Sequence, residues 1–136
     1  MMTLSTPLRN ARLQAVADAI DAAREPGTLT LYTGPRPGNG AAITIEVALV
    51  TIPCPRPFAA SIENGVLTGV AFPEVMATAG GDAVWGRYRD GDGGFVADAD
   101  VGELDAQGNP TSDINLPSRL IYAGMLVRIT ALTLVE

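Results

Sequence analysis

The feature that most constrains the fold is the apolar stretch Met125–Val135 near the end of the chain. Side chains of an extended chain alternate between two faces. One face of this stretch would carry Met125, Val127, Ile129, Ala131 and Val135. The other face would carry Leu126, Leu132 and Leu134 beside Arg128 and Thr130. A strand that buries one face fully and the other over half its length is typical of the inside of a sandwich or barrel, not of an edge.

The length of 136 residues predicts a single domain, 1–136. With 47% hydrophobic and 18% charged residues, the composition is that of a globular protein. No apolar run approaches the roughly 20 residues of a membrane span, and the first residues lack the apolar core of a signal peptide. The sequence therefore predicts no membrane partner. The single cysteine, Cys54, can form no internal disulfide.

The basic residues are informative because all nine are arginine, with no lysine and no histidine. They are scattered along the chain, and the net charge is −6. Proteins that bind nucleic acids gain most of their affinity from clustered cations that neutralise phosphates, so we expect no nucleic-acid partner. Without histidine, the commonest general base and metal ligand is missing as well.

One helix is expected, over residues 6–24. Thr6 would serve as its N-cap and Pro7 would occupy the first helical position, where a missing N–H has no cost. Glu25-Pro26-Gly27 would end it. Its apolar stripe consists of Leu13, Val16, Ala17, Ile20 and Ala23. This stripe predicts packing against the sheet of its own domain, or alternatively against a neighbouring subunit.

The β region, from about residue 28 to 136, consists of short strands separated by turns. Strands are expected at 28–33, 43–52, 58–63 and 66–72. The last two would form a hairpin around Asn64-Gly65, the strongest local hairpin signal in the chain.

A second hairpin can be registered from its pattern. Val84, Gly86 and Tyr88 would share a face with Phe95, Ala97, Ala99 and Val101, with Gly91–Gly94 as the loop. Arg87 would then lie opposite Asp98, and Trp85 opposite Asp100. We expect both of these pairs on the outer, solvated face.

These elements predict a mainly β fold with one N-terminal helix. About eight strands with short connections favour an antiparallel β-sandwich, for which a jelly roll is one natural closure.

The candidate reactive motifs favour structural interpretations. Asp90–Gly94 fails the EF-hand spacing and fits a hairpin turn. Gly34–Gly40 lacks the Lys-Ser/Thr of a phosphate-binding loop. Asp98, Asp100, Glu103 and Asp105 follow one strand into a loop, as a solvated face does. Cys54 has no histidine to activate it. We therefore expect no enzyme, metal or cofactor.

Three segments carry a family resemblance: Leu4–Leu13, Ala19–Ala22 and Gly27–Pro37. Together they resemble a group of small structural proteins of tailed bacteriophages, which share a short N-terminal helix, an "LYTG-x-RP" segment and an all-β remainder. The resemblance implies a virion structural protein, with a capsid cement, or decoration, protein as the closest match. Such a protein would lie on the capsid surface and bind the major capsid protein and copies of itself.

The expected capsid contacts are Arg9 and Arg12 of the helix and Pro35, Arg36 and Pro37 of the following loop. Two alternatives stay open. One is a phage tail or head–tail joining component. The other is a stand-alone ligand-binding β-sandwich, for instance one that binds carbohydrate, in which Trp85 would be the candidate for stacking on a sugar.

Overall fold

The computed structural model describes residues 2–38 and 40–135 and is mainly β with one helix in that part of the chain. The helix α1 spans Thr6–Asp21. The strands are β1 (Thr28–Tyr32), β2 (Ala48–Pro53), β3 (Ala59–Glu63), β4 (Val66–Gly69), β5 (Val75–Met76), β6 (Gly81–Asp82), β7 (Trp85–Arg89), β8 (Phe95–Glu103), β9 (Ile114–Leu116), β10 (Leu120–Ile121), β11 (Leu126–Val127) and β12 (Ala131–Val135). The prediction of a mainly β fold with an N-terminal helix is confirmed.

The N-terminus of α1 is capped one residue earlier than predicted. Ser5, not Thr6, is the N-cap, and its Oγ accepts a hydrogen bond from the Leu8 N–H at 3.3 Å. This cap places Pro7 inside the first turn, where no N–H is needed.

The C-terminus of α1 comes at Asp21, three residues before the predicted end at 24. The carbonyl groups of Ala23 and Glu25 accept hydrogen bonds from the Arg56 guanidinium. The Asp21 carboxylate accepts from the Phe58 N–H at 3.1 Å. After the helix ends, the chain is therefore held by hydrogen bonds to the segment before β3 instead of by helical hydrogen bonds.

The buried face of α1 consists of Leu13, Ala17 and Ile20, and the helix packs on β3, β4 and β8 of its own domain. The Asn10 side chain also accepts from the Gly65 N–H at 2.8 Å. Packing on its own domain, the first of the two expectations, is therefore confirmed.

Eight strands form one mixed sheet in the order β2-β1-β7-β8-β9-β12-β4-β3. All of its pairs are antiparallel except β8–β9, which is parallel. The connection 104–113 carries the chain back so that β9 runs in the same direction as β8. Two short ribbons, β5–β11 and β6–β10, lie outside this sheet.

The sheet curls until its two halves face each other. Phe58, directly before β3, makes an edge-to-face contact with Tyr88 of β7, with ring centroids 5.4 Å apart. In a flat sheet those strands would be about 24 Å apart, at about 4.8 Å per strand spacing. The fold is consequently sandwich-like, with one core that includes Leu29, Leu31, Leu67, Ile114 and Leu132.

The stretch 125–135 lies inside the sheet only in part, because it is divided into β12, which belongs to the sheet, and β11, which pairs with β5 in a ribbon outside it. β12 pairs with β9 on one side and with β4 on the other, so it is not an edge. Between β11 and β12, the N–H and the hydroxyl of Thr130 both donate to the Asn115 carbonyl, at 2.8 and 2.9 Å. Val127 and Leu132 are both buried, whereas Val135, predicted on the fully buried face, is 70% exposed.

The predicted hairpin at Asn64-Gly65 is confirmed, with both residues at positive φ (52° and 76°) between β3 and β4. The predicted strand 43–52 is shorter than expected, because β2 begins only at Ala48. Within residues 2–38 and 40–135, no helix is both long and apolar enough to cross a membrane.

Candidate functional site: a strap over the outer face

The connection between β1 and β2, residues 33–47, lies over the outer face of the sheet; we call it the strap. In its described part it contains neither helix nor strand, and Asn39 lies outside the described residues. Its two ends are tied together, because the Thr33 N–H donates to the Val47 carbonyl (3.1 Å) and the Val47 N–H donates to Thr33 Oγ1 (2.9 Å). Structureless connections of this length are uncommon in compact domains and are usually functional or disordered.

Aromatic rings fill the space under the base of the strap. Trp85 is fully buried and stacks on Tyr32, with ring centroids 4.6 Å apart and an interplanar angle of 15°. Its indole N–H donates to the Thr33 carbonyl at 2.9 Å. The predicted register, with Trp85 opposite Asp100 and Arg87 opposite Asp98, is confirmed. The prediction that this face is solvated is wrong at Trp85, because the strap covers it.

Arg87 is the centre of the covered face. Its Nε and Nη2 donate to the two carboxylate oxygens of Asp98 at 2.7 and 3.0 Å, and Nη2 also donates to the Ala41 carbonyl of the strap at 2.9 Å. The side chains of Arg87 and Asp98 are only 5% and 4% exposed. The hydrogen bonds to Asp98 raise the pKa of Arg87, so its guanidinium stays charged. The expectation of a solvated Asp98 is likewise wrong.

The Arg87 guanidinium lies between two rings, with its central carbon 5.2 Å from the centroid of Trp85 and 5.0 Å from that of Phe95. Phe95 was expected on the inner face with Tyr88. A β-bulge changes this, since Tyr88 pairs with Ala97 while the next residue of β7 pairs with Phe95. Two residues of β8 thus oppose one step of β7, which turns Phe95 towards Arg87.

Phe95 also contacts the strap directly. A Cβ placed on Gly40 would lie 2.7 Å from the Phe95 ring, and Gly40 has a φ of +69°, so both space and backbone require glycine there. Half of the Phe95 surface remains exposed. The ring therefore belongs partly to the buried cluster and partly to the outer surface.

The strap has a second, exposed attachment. Arg36 Nη1 donates to Asp100 Oδ1 at 2.9 Å, with the two side chains 42% and 67% exposed. Of the predicted contact residues, Pro35 and Arg36 are exposed and Pro37 is half-buried. This places the predicted loop residues on the surface of the strap beside β8.

The predicted contact residues of the helix form a separate group. Arg12 is exposed, whereas Arg9 is half-buried, with Nη2 donating to Thr6 Oγ1 at 2.9 Å and the guanidinium next to Gly65. The contacts of Arg9 lie on the helix and the β3–β4 turn and share no residue with those of Arg36. The structure thus divides the predicted contact residues into two groups.

Sequence reasoning missed the apolar side chains of the strap. Ile45 and Val47 are exposed, Ile45 by 76%, whereas Glu46 between them is buried. The Glu46 carboxylate accepts from the Thr44 N–H at 2.8 Å, and this bond, together with backbone donors, lowers the pKa of Glu46. The alternation of Ile43 to Leu49 was the available signal, but it was interpreted as a strand.

The other candidate groups are engaged in local structure. The Asp90 carboxylate accepts from the N–H groups of Asp92 (3.0 Å) and Gly94 (2.8 Å), as the predicted hairpin turn requires. Cys54 is buried, and burial followed by the nearby charge of Asp21 raises its pKa to about 12. Among the described residues there is no group of three metal-binding side chains that could hold an ion.

What the strap can do chemically is present apolar surface in a fixed geometry. Ile45 and Val47 of the strap are exposed, and the strap is fastened to the sheet at Thr33 and Ala41. The half-exposed ring of Phe95, on β8, contacts the strap at Gly40. The sequence matches no protein-family model and shows no significant similarity to any curated protein or solved structure. The site is therefore interpreted from its own chemistry.

Proposed function

We propose that this chain is a non-enzymatic structural protein of a tailed-bacteriophage virion, and that it acts as a cement protein on the capsid shell. The observation that carries the proposal is the fixed strap with its exposed side chains Ile45 and Val47, together with the half-exposed ring of Phe95 that contacts the strap at Gly40. The segment Leu31–Pro37, part of the resemblance to phage structural proteins, forms the end of β1 and the start of this strap. The resemblance thus includes the first part of the strap, whereas the exposed apolar residues lie further along the chain.

The anchoring of the strap supports a binding role. A loop that is ordered before binding loses little conformational entropy when a partner docks, so more of the contact energy becomes affinity. Here the Thr33 and Ala41 carbonyls are already hydrogen-bonded to buried side chains of β7. Exposed apolar side chains on such a loop are typical of protein–protein contacts.

The proposed partner is the major capsid protein. A capsid repeats the same binding site many times, so copies that also contact each other bind with raised avidity even when each contact is weak. The net charge of −6 suits the outer surface of a shell rather than contact with packaged DNA. In this proposal the protein is made in the host cytoplasm and lies on the capsid surface of the virion.

The structure weakens the proposal of a carbohydrate-binding module. Trp85, the aromatic side chain proposed for stacking on a sugar, is fully buried and its N–H is bonded to Thr33. A sugar could reach it only after the strap had left the sheet.

The test uses empty shells assembled from the major capsid protein encoded nearest to this chain. We expect the purified protein to co-sediment with the shells and to raise their resistance to heat. The double variant Ile45→Ser/Val47→Ser should bind at least about tenfold more weakly, since two exposed apolar contacts are removed. Val135→Ser, an exposed apolar change away from the strap, is the matched control and should bind as the unmodified protein does.

Absence of co-sedimentation would overturn the proposal. Particles that lack the protein but are equally heat-resistant and fail to attach tails would favour the head–tail joining component instead. A neighbouring major capsid gene favours the cement protein, and neighbouring tail genes favour the joining component.

A further inference from the structure

The β5–β11 ribbon carries an exposed apolar pair on its outer face. Met76 and Leu126 lie directly opposite each other, and they are 59% and 58% exposed. The next pair in register is Val75 with Val127, and these side chains turn inward to the core. Side chains directly opposite each other on one face of an antiparallel pair have Cβ atoms about 5 Å apart, so Met76 and Leu126 form one continuous patch.

Two opposite charges stand at the end of this patch. Glu74 and Arg128 lie directly outside β5 and β11, two residues from Met76 and Leu126. Alternation continued by one residue on each strand would place all four side chains on the same face. Both charged residues are exposed, and together they line a groove of about 290 Å³. Among the described residues neither has an ion-pair partner within 4.0 Å.

Backbone hydrogen bonds extend the pairing of the ribbon beyond Met76, and the Thr78 N–H joins it to β2 by donating to the Leu49 carbonyl at 2.9 Å. The Ala77 N–H donates to the Met125 carbonyl and the Gly124 N–H donates to the Ala77 carbonyl, both at 2.8 Å. A turn closes the ribbon, because the Met125 N–H donates to the Tyr122 carbonyl at 3.0 Å. Tyr122, 63% exposed, adds a further apolar side chain at this end of the molecule.

We propose that the outer face of this ribbon binds the same face of a second copy of the chain. A two-fold axis parallel to the strands, lying between the two ribbons, places β5 of one copy over β11 of the other. Glu74 then faces Arg128 of the other copy, Arg128 faces Glu74, and Met76 packs on Leu126. A two-fold interface requires a surface that is complementary to itself, and this arrangement of one acid, one base and an apolar pair meets that requirement.

This inference deepens the proposed function, since it assigns a surface to the contact between copies. The proposed dimer itself does not depend on the capsid function; only its occurrence on a capsid surface rests on that proposal. Dimerisation is measured on the purified chain alone, without shells, and shell binding is measured at the strap. Failure of one measurement is therefore distinguishable from failure of the other.

The experiment is sedimentation equilibrium of the full chain over a range of concentrations at low salt. The unmodified protein should show a concentration-dependent dimer. Glu74→Arg apposes two arginines at each of two symmetry-related places, so dimer affinity should fall at least about 100-fold. Arg128→Glu should do the same, and the double variant Glu74→Arg/Arg128→Glu should restore the dimer because the opposite charges face each other again.

Glu63→Arg is the matched control, because it makes the same charge change at an exposed site on β3 and should leave the dimer intact. Circular dichroism of every variant establishes that it is folded. Leu126→Gln is a second disruptive variant that leaves all charges in place and should also weaken the dimer.

Three results would overturn the proposal. They are a monomeric unmodified protein, a dimer that is insensitive to Glu74→Arg, or a double variant that remains monomeric although it is folded.

Discussion

Replacing Arg87 by alanine should destabilise the protein severely, although the residue lies on what the sequence presents as a solvated face. The substitution leaves the Asp98 carboxylate, 4% exposed, without a counter-charge. Removing one partner of a buried ion pair costs about 3–5 kcal/mol, because the remaining charge stays desolvated. It also leaves the Ala41 carbonyl without its donor at 2.9 Å and removes the guanidinium from between two rings. We therefore expect the free energy of unfolding to fall by about 3–5 kcal/mol.

The neighbouring Arg36–Asp100 pair provides the matched control. It joins the strap to β8, the strand that also carries Asp98, over 2.9 Å, but its side chains are 42% and 67% exposed. Exposed ion pairs contribute about 0–1 kcal/mol, so Arg36→Ala should cost less than about 1 kcal/mol. The comparison tests burial, since the residue type, the partner type and the strand that carries the acidic partner are shared.

The assay is urea unfolding at pH 7, monitored by Trp85 fluorescence, with stability taken from the midpoint and slope. Arg87→Leu combined with Asp98→Leu should cost less than Arg87→Ala alone, because no unpaired charge remains buried. A loss below about 1 kcal/mol for Arg87→Ala would refute the reasoning, since it would mean that water reaches Asp98 and that the strap does not seal the cluster.

Three further predictions follow from the described contacts. Gly40→Ala should destabilise more than Gly93→Ala in the same urea assay: both have positive φ, but only at Gly40 would the new Cβ meet a ring, at 2.7 Å. Equal losses would show that the strap shifts freely. Cys54, with its pKa raised to about 12 by burial, should resist iodoacetamide at pH 8 in the native protein and react once urea unfolds it, as followed by mass spectrometry. Because the pKa of Glu46 is lowered in the folded state, its ionised carboxylate stabilises the fold at pH values above the ordinary pKa of 4.5. This stabilisation is lost as the pH falls through the folded pKa. Glu46→Gln should therefore lose less stability between pH 7 and pH 3 than the unmodified protein, and identical pH profiles would contradict the Thr44 contact.

Local signals in the sequence predicted local structure well. Asn64-Gly65 marked its turn because both residues tolerate the positive φ that a two-residue hairpin needs. The pairing of Arg87 with Asp98 followed from alternation along two neighbouring strands. These features depend only on residues close together along the chain.

The burial of that same pair could not be predicted in this way. The strap covers the Arg87–Asp98 pair, and its contact residue Ala41 is far from Arg87 in the sequence. A charged pair on a strand has the same local pattern whether water or a loop lies above it. The prediction of the helix end was wrong for a similar reason. The carbonyls of Ala23 and Glu25 accept hydrogen bonds from Arg56, which is distant in the sequence.

Most of the candidate surface could not be predicted from local sequence either. The apolar residues at 43, 45, 47 and 49 alternate as a strand does, and nothing nearby shows that only the last belongs to β2. The exposed ribbon pair, Met76 with Leu126, was also hidden, since the two residues meet only after the chain has returned across the sheet. Both surfaces required the three-dimensional arrangement.

The position of β12 has a consequence for how the protein is made. Strands β2, β1, β7, β8 and β9 can pair with one another without it, and so can β4 with β3. Among the described residues, only 131–135 connect these two groups by strand pairing, with β9 on one side and β4 on the other. A ribosome therefore has to translate through this stretch and extrude it before the sheet can become continuous. Until then the nascent chain carries two incomplete sheets with unpaired edges, the state in which a growing chain is most exposed to aggregation.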